Sequence, residues 1–343
     1  MSRLHTLLLQ GRDPLIFRDA RPFTNAPGGR ATTLPWPLPQ TIAGALRTHI
    51  GNTLGNSFAW DQAGAVQART WALKGPLLAV RWAEGDAWQV YVPAPRDALI
   101  YTPRGQHGKS PYPLRPKSQI PAGAGVSPFS GIAKPLHPIE MAEQDLKPDD
   151  DVAMFWALDQ ALAWLADPRP VTAPADEQQY KGLPTDTRVH VGIDKDTLTN
   201  REGALFTTSG LDFARAPQRH YNGQQGRWDE TPATGLLCRM SAPPEWAPGP
   251  AFLPLGGERR LADLIAAPPE LWPAPDQLPV AAHLDRLAAC FAAMRQPRLR
   301  LQLVTPAIFA NGWLPDGADP ESLEVTIPDW PNGPRLRLVS AIV

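Results

Sequence analysis

Cysteine is nearly absent from this chain, which carries only Cys238 and Cys290 in 343 residues. Two cysteines exclude a disulfide framework and are typical of a reducing compartment, so we expect a cytoplasmic protein. No apolar run approaches the roughly 20 residues of a membrane span, and the N-terminal residues lack the apolar core of a signal peptide. These absences predict a water-soluble globular protein, and hydrophobic residues at 43% leave ample material for a core.

The sequence also lacks the spacings that mark metal centres and catalytic nucleophiles. Its 7 histidines form no His-x-x-x-His pair, and it has no Cys-x-x-Cys pair and no Gly-x-Ser-x-Gly elbow. The stretch GQHGKS at 105–110 is similar to a phosphate-binding P-loop. However, proline stands at 103, where that motif needs glycine, and prolines follow where it needs a helix. We therefore predict no metal, no cofactor and no enzymatic activity.

Lysine is also scarce: the chain has 7 lysines against 26 arginines, and its net charge is −1. This balance argues against a free-standing nucleic-acid-binding protein, for which a basic domain is expected, but leaves room for a subunit with one basic groove. Arginine favours bidentate phosphate contacts, although a GC-rich genome produces the same excess. Proline, by contrast, is abundant at 41 residues, so many connections must be extended and stiff.

Residues 13–50 predict a strand exit, a glycine loop and a helix start, with arginines at each step. An apolar strand is expected just before them at 4–10, and Thr41 is the expected helix cap. The helix carries a buried stripe every four residues, at Ile42, Leu46, Ile50 and Leu54. A helix N-terminus beside Gly28, Gly29 and Arg30 favours a phosphate, because free N–H groups and the helix dipole attract an anion. The alternative is a surface loop with ordinary solvated arginines.

A β-hairpin is expected at 71–92, with its turn at 83–86. Together with the first strand and helix, it gives the β-α-β-β part of a ferredoxin-like unit. A proline-rich segment at 93–148 then intervenes, and its 11 prolines exclude a continuous helix or a central strand. Loops of this length are usually functional or disordered.

The first half of this insertion is basic, and its far end is acidic. Cations alternate there with aromatic rings, the mixture that tracks phosphates and stacks bases: Arg96, Arg104, Lys109, Arg115 and Lys117 with Tyr101, His107, Tyr112 and Phe129. The alternative is a solvated insertion whose aromatic rings pack on the protein body. The acidic end, at 140–151, is expected to be solvated or to face a protein partner. Its Asp149-Asp150-Asp151 run suits a divalent ion, but acidic charges at a helix start explain it more simply.

The rest of the sequence predicts further helices and strands. Helices are expected at 151–167, around 261–265 and at 283–294, and strands at 189–193, 205–213, 235–240, 299–304 and 335–343. The repeated β-α-β content predicts an α+β fold of tandem ferredoxin-like (RRM-like) domains with long proline-rich insertions. The expected domains span 1–180, including the basic insertion at 93–148, and 181–343.

Several stretches, in order along most of the chain, resemble one protein family. They are DPLIFRDARPF from residue 13, PLPQTIAGALR from 37, RVHVGIDKDTLTNREGALFTTSGLDF from 188, FLPLGGERR from 252 and LVTPAIFANGW from 303. No single stretch is a fingerprint. Together they are similar to the third subunit of the Cmr (type III-B) CRISPR effector complex, which belongs to the RAMP superfamily.

The resemblance implies a non-catalytic RNA-binding subunit in antiviral defence. Such a subunit grips the 5′ repeat-derived tag of the CRISPR RNA (crRNA) and bridges the large polymerase-like subunit to the RAMP backbone subunits. No membrane and no small-molecule substrate are expected. Proteins of this family usually continue into a glycine-rich loop near the C-terminus. Since the sequence ends at Val343 inside a predicted strand, the second domain is expected to be cut short there.

The predicted RNA-contacting residues lie in the stretch at 13–50 and in the basic part of the insertion at 93–148. They are Arg18, Arg21, Gly28, Gly29, Arg30, Thr41, Arg47, Arg104, His107, Lys109, Tyr112, Arg115 and Lys117. An alternative class is a RAMP-type endoribonuclease that processes crRNA by histidine acid–base catalysis, with His49 and His107 as its candidates. A third interpretation is a structural scaffold without RNA contact.

Overall fold

The computed structural model describes residues 2–18, 30–102, 109–119, 136–140, 148–168, 175–222, 227–273, 289, 292, 299–310, 312, 314–326 and 336–340. Within these residues the chain is mixed helix and sheet, with many more strands than helices. It separates into two compact units. Unit 1 comprises Met1–Pro93, Gln179–Pro273 and Val304–Pro306, and unit 2 comprises Ala94–Gln178, Ala274–Leu303 and Ala307–Val343.

The described helices are α1 (Pro39–Thr53), α2 (Gln62–Thr70) and α3 (Leu158–Ala166). The described strands are β1 (Arg3–Gly11), β2 (Arg30–Ala31), β3 (Leu73–Arg81), β4 (Gln89–Pro93), β5 (Ala98–Tyr101), β6 (Ser110–Pro113), β7 (Arg115–Pro116), β8 (Ile139–Glu140), β9 (Phe155–Ala157), β10 (Gln179–Tyr180), β11 (Thr185–Ile193), β12 (Asn200–Leu211), β13 (Gln218–Asn222), β14 (Arg227–Thr231), β15 (Ala233–Ala242), β16 (Ala251–Pro254), β17 (Leu261–Ala266), β18 (Glu324–Val325) and β19 (Leu336–Arg337). None of the described helices has the length and apolar character needed to cross a membrane.

Unit 1 is built on a sheet in which β4, β3, β15, β1, β17 and β16 are neighbours in that order. Each of these neighbouring pairs is antiparallel. β1 and β3 therefore run in the same direction on either side of β15, and α1 and α2 make the crossover between them. In β1, Leu7, Leu8 and Leu9 are at most 2% exposed. Because successive side chains of a strand point to opposite faces, this sheet is buried on both sides.

The predicted hairpin at 71–92 is confirmed, since β3 and β4 pair antiparallel with Leu78 opposite Tyr91. The strands predicted at 189–193 and 235–240 also form, within β11 and β15, and the strand predicted at 205–213 forms as far as residue 211, in β12. However, β15 comes from the predicted second domain and lies between β1 and β3 of the first, so the sheet draws on both. Periodicity identifies a strand but not its partner. The tandem ferredoxin-like arrangement, with a boundary at residue 180, stays a prediction.

The buried stripe of α1 is confirmed, but its predicted cap is wrong. Ile42, Leu46 and Ile50 are each 0% exposed. Thr41 lies inside the helix, and the residue at the N-cap is Leu38, which makes no capping side-chain bond. Pro39 begins the helix, because its fixed φ suits the first turn and its missing N–H is not needed there.

Several other predicted elements differ from the structure. Residues 261–265 form β17 rather than a helix, because pairing with both β1 and β16 buries Ala262 and Leu264 on alternating positions. The helix predicted at 151–167 is shorter and follows the strand β9. Residues 299–304 form no strand, and the final strand is only β19. The helix predicted at 283–294 lies outside the described residues, apart from positions 289 and 292.

Unit 2 contains short hairpins and α3. β5 pairs with β6, β7 with β8 and β18 with β19, each antiparallel. On α3, Trp164 is fully buried and meets Trp156 edge to face, with ring centroids 5.9 Å apart. The Arg300 guanidinium donates to the carbonyls of Trp164 and Leu165 and lies 2.9 Å from a carboxylate oxygen of Asp97. These bonds fasten segment 299–303 to the end of α3, where backbone carbonyls attract a cation.

Candidate nucleic-acid interface

The stretch before the predicted glycine loop is tightly fixed within unit 1. Leu15, Ile16 and Phe17 are at most 3% exposed. Leu15 and Leu211 exchange backbone hydrogen bonds of 2.8 and 2.7 Å at the end of β12. The N–H of Gly257 donates to the carbonyl of Ile16 at 2.7 Å. Three of the stretches that carry the family resemblance, DPLIF, SGLDF and LGGERR, therefore meet at one place.

The turn at 256–260 requires glycine at its first position. Gly256 has φ +79°, and a Cβ built on it would lie 2.5 Å from the carbonyl oxygen of Ile16. Only glycine avoids both the strained backbone and this clash. The turn is closed by a 2.7 Å bond from the N–H of Leu255 to the carbonyl of Arg260, and by an ion pair of 3.0 Å between Arg260 and Glu258. The close approach of the turn to Ile16 thus depends on glycine at position 256.

The chain on both sides of residues 19–29 is held beside β12. Arg18 pairs with Thr33 in an isolated bridge, and the Thr33 hydroxyl accepts a 3.0 Å bond from the N–H of Phe17. On the other side, Arg30 is aligned with Thr207 where β2 pairs parallel with β12. The predicted contacts Arg21, Gly28 and Gly29 lie outside the described residues. The structure therefore defines where that loop is attached and leaves its phosphate site a prediction.

Arg47 has backbone partners that the sequence did not suggest. Its guanidinium donates to the carbonyl of Trp71 from two nitrogens, at 3.1 and 2.8 Å, and to the carbonyl of Arg69 at 3.1 Å. These carbonyls lie at the C-terminal end of α2, where a cation is favoured by the helix dipole. Arg47 therefore fixes α2 against α1, and its predicted phosphate contact stays a prediction.

In unit 2, Lys109 lies beside the acidic end of the insertion. Its ammonium is 3.5 Å from Oδ1 of Asp149 and 3.9 Å from Oδ2 of Asp151, and it also donates to the Asp151 carbonyl. The backbone N–H of Asp151, followed by the nearby Lys109 ammonium, holds the pKa of Asp149 below its usual range. The basic and acidic parts of the insertion, which the sequence assigned to different partners, therefore meet at this point.

The other described residues of the basic insertion lie on short antiparallel ladders. Tyr112 is half-buried on β6, opposite Leu99. Arg115 is exposed on β7, opposite Glu140. The Lys117 backbone donates to the carbonyl of Pro138 at 2.8 Å, and Nδ1 of His137 lies 2.7 Å from the Lys117 carbonyl. The predicted contacts Arg104 and His107 lie outside the described residues. An acidic neighbour thus stands beside more than one of the predicted cations.

The two groups of predicted RNA contacts belong to different compact units. Among the described candidates, Arg18, Arg30, Thr41 and Arg47 lie in unit 1, and Lys109, Tyr112, Arg115 and Lys117 lie in unit 2. Contact of both groups with one RNA therefore stays a prediction.

One group of unit 1 residues was missed by the sequence reasoning. Arg12 and Arg215 both contact Asp263, at 3.3 and 2.7 Å. The Arg12 guanidinium also lies 5.5 Å from the ring centroid of Phe252, which is 61% exposed. An exposed ring beside an arginine is the combination found on single-strand binding surfaces. No local spacing signals it, because Arg12, Phe252 and Asp263 are brought together by the pairing of β1, β16 and β17, and Arg215 approaches Asp263 from outside these strands.

No cluster of three or more metal-binding side chains occurs within the part of the chain that the structure describes. Of the two histidines considered for catalysis, His49 lies half-buried on α1, and burial lowers its pKa. Burial, followed by the nearby positive charge of Arg3, also lowers the pKa of His5. The side chains of His49 and His5 are therefore both held towards the neutral form.

The family resemblance is confirmed by comparison with known proteins. A family model described as CRISPR-associated protein (Cas_Cmr3) matches residues 7–343. A search of curated proteins found no match.

Two solved structures of Type III-B Cmr-beta contain similar chains. A cryo-EM structure bound to cognate target RNA and AMPPnP, state 1, has a chain of 14% identity and TM-score 0.36, with coverage of 77% of this chain and 63% of that chain. A second cryo-EM structure, bound to cognate target RNA, gives 14% identity and TM-score 0.35, with coverage of 77% and 64%. This chain thus spans slightly less than two thirds of the length of those chains. Since the family match covers nearly the whole sequence, the protein belongs to the Cas_Cmr3 family of CRISPR-associated proteins.

Proposed function

We propose that this protein is a non-catalytic RNA-binding subunit of a type III-B (Cmr) CRISPR effector complex. It grips the 5′ repeat-derived tag of the crRNA and bridges the large polymerase-like subunit to the RAMP backbone subunits. The complex works in the cytoplasm, in antiviral defence. Family membership supports the assignment to a CRISPR system.

The fixed positions of the segments on either side of residues 19–29, the predicted glycine loop, are the observation that carries the RNA-binding proposal. Before the loop, Ile16 and Phe17 are buried and hydrogen-bonded to two other segments of unit 1. After it, Arg30 is aligned with Thr207 beside β12. Binding residues are commonly carried by loops on a rigid scaffold. Here the scaffold supports a glycine- and arginine-bearing stretch, and both residue types suit close contact with a phosphate backbone.

Co-purification tests the proposal most directly. The chain is produced with the proteins encoded beside it, the assembled complex is isolated, and the RNA bound to it is sequenced. We expect short RNAs that share one repeat-derived 5′ end, and an ultraviolet crosslink between that end and this chain. A complex that contains such RNA but gives no crosslink to this chain would favour the scaffold interpretation instead.

The proposal that the subunit is non-catalytic is tested with the purified chain. Repeat RNA is incubated with the protein in the presence of a chelator, because histidine acid–base cleavage needs no metal. We expect intact RNA. Cleavage that disappears in His49→Ala or His107→Ala would instead establish the endoribonuclease alternative.

A further inference from the structure

Three segments of unit 2 place one lysine among acidic residues. β5 pairs with β6, with Tyr101 opposite Ser110, so Lys109 stands just before β6 at the end of this ladder. On the other side, Tyr101 also pairs with Pro148, and the N–H of Asp149 donates to the carbonyl of Ile100 at 2.9 Å. The backbone therefore fixes residues 148–151 beside Lys109, independently of any side-chain contact.

The side chains complete the arrangement. Carboxylates of Asp149 and Asp151 lie 3.5 and 3.9 Å from the Lys109 ammonium, and the Asp151 carbonyl accepts a hydrogen bond from it. Lys109 is 37% exposed, whereas the Asp149 side chain is 20% exposed. The Lys109 ammonium is thus paired with two carboxylates. It is the same group that would contact a phosphate if Lys109 bound RNA.

We propose that Asp149 and Asp151 act as an internal substitute for phosphate, an autoinhibitory contact that RNA must displace before Lys109 can bind it. The inference depends on the proposed RNA-binding function and describes the regulation of that site. It explains why a basic insertion carries an acidic end: the carboxylates occupy the cation in the absence of RNA and weaken contacts with polyanions that cannot displace them.

The expected strength of the ion pairs at Lys109 suits a contact that RNA can displace. Ion pairs that are partly open to solvent are weak, and removing one changes an equilibrium by about two- to fivefold. A phosphate that is part of a larger bound RNA can overcome such a competitor. A deeply buried pair could not be exchanged so readily, because its separated charges would be left without water.

The test uses neighbouring aspartates that differ in their contacts. Asp149→Asn removes the charge but keeps an oxygen for the 2.9 Å bond from the N–H of Asp151, so the local turn is preserved. Asp150→Asn is the matched control, because it removes the same charge one residue away, and Asp150 is exposed and has no ion pair with Lys109 in the described structure. Lys109→Ala and the double variant Asp149→Asn/Lys109→Ala complete the set.

Each variant is assembled into the complex, and its affinity for a synthetic tag RNA is measured across a salt series. We expect Asp149→Asn to bind about two- to fivefold more tightly than Asp150→Asn. The slope of log affinity against log salt should steepen by up to about 0.7, because the cation that Lys109 releases from the RNA is then no longer offset by a cation taken up at the displaced Asp149 carboxylate. In the Lys109→Ala background, Asp149→Asn should have no further effect.

Equal affinities for Asp149→Asn and Asp150→Asn would overturn the inference, as would a gain that persists without Lys109. Either result with normal wild-type binding leaves the proposed function standing. Failure of the wild-type complex to bind tag RNA would instead contradict the proposed function itself.

Discussion

Gly257 and Ile16 are joined by a backbone hydrogen bond of 2.7 Å, which ties the turn at 256–260 to the stretch that leads into the predicted glycine loop. The bond is possible because the preceding residue, Gly256, has φ +79° and presents no Cβ to the Ile16 carbonyl. The approach of these two segments is therefore controlled by one glycine.

Gly256→Ala is expected to lower the free energy of unfolding by about 1–3 kcal/mol, since the new methyl meets backbone and the φ is unfavourable. Denaturant unfolding of the purified chain measures the change. Gly44→Ala is the control: Gly44 lies in α1, and a Cβ there would meet nothing within 4 Å. That variant should be stabilised by about 0.5–1 kcal/mol. Equal effects at the two positions would contradict this account of the turn.

Arg47→Ala is expected to lower the free energy of unfolding by about 1–2 kcal/mol, because charge-assisted bonds to the α2 carbonyls are lost. Thermal unfolding checks this prediction. A salt series with tag RNA on the same variant then tests the predicted phosphate contact, whose loss would flatten the slope by roughly 0.7. A variant of unchanged stability would show that its three hydrogen bonds to Arg69 and Trp71 contribute little.

Tyr112 and Lys117 should respond differently if both contact RNA. Tyr112→Ala is expected to cost about 1–3 kcal/mol of binding free energy with the salt slope unchanged, because a stacked base carries no counterion release. Lys117→Ala should flatten the slope by roughly 0.7. Tyr112→Phe is the matched control, since it keeps the ring and should bind normally. Unaltered affinity in Tyr112→Ala would place the stacking surface elsewhere.

The stability of the protein should depend on the protonation of His49. Burial lowers its pKa, so between the folded and unfolded values the unfolded chain binds more protons than the folded chain. The free energy of unfolding therefore falls as the pH drops through about 6.5, and the loss is complete below the folded value. His49→Gln should weaken this dependence between about pH 7.5 and pH 5, measured by denaturant unfolding. The pKa of His5 is also lowered, so part of the pH dependence of stability should remain in the His49→Gln variant. An identical pH dependence in the variant would contradict the prediction.

Local periodicity was sufficient to predict those helices and strands in which the buried residues follow one regular face. The stripe of Ile42, Leu46 and Ile50 was found from the sequence because three- to four-residue spacing and burial coincide in α1. The same reasoning failed at Leu261, Leu264 and Ile265. Their spacing also fits a helix, but pairing with β1 and β16 selects the strand β17. Tertiary pairing thus overrode an ambiguous local pattern.

The candidate site could also be predicted only in part, because contacts between distant residues do not appear in local sequence patterns. The charges of Lys109 and Asp149 were both noticed in the sequence, yet their ion pair depends on the return of residues 148–151 to β5. Likewise, Arg12 and Asp263 meet only because β1 and β17 are neighbours. Composition identified the residue types, whereas the contacts between them required the strand order.

The position of β15 between β1 and β3 also determines how the chain must be made. A ribosome synthesises β1 and β3 early, but the strand that joins them is at 233–242. At about 5–20 residues per second, β3 waits roughly 10–30 s and β1 roughly 10–50 s with an open edge. Sheets completed by such distant segments have high contact order and fold slowly. A nascent chain stopped before β15 should therefore depend on chaperones or aggregate through these edges, rather than persist as a folded N-terminal fragment.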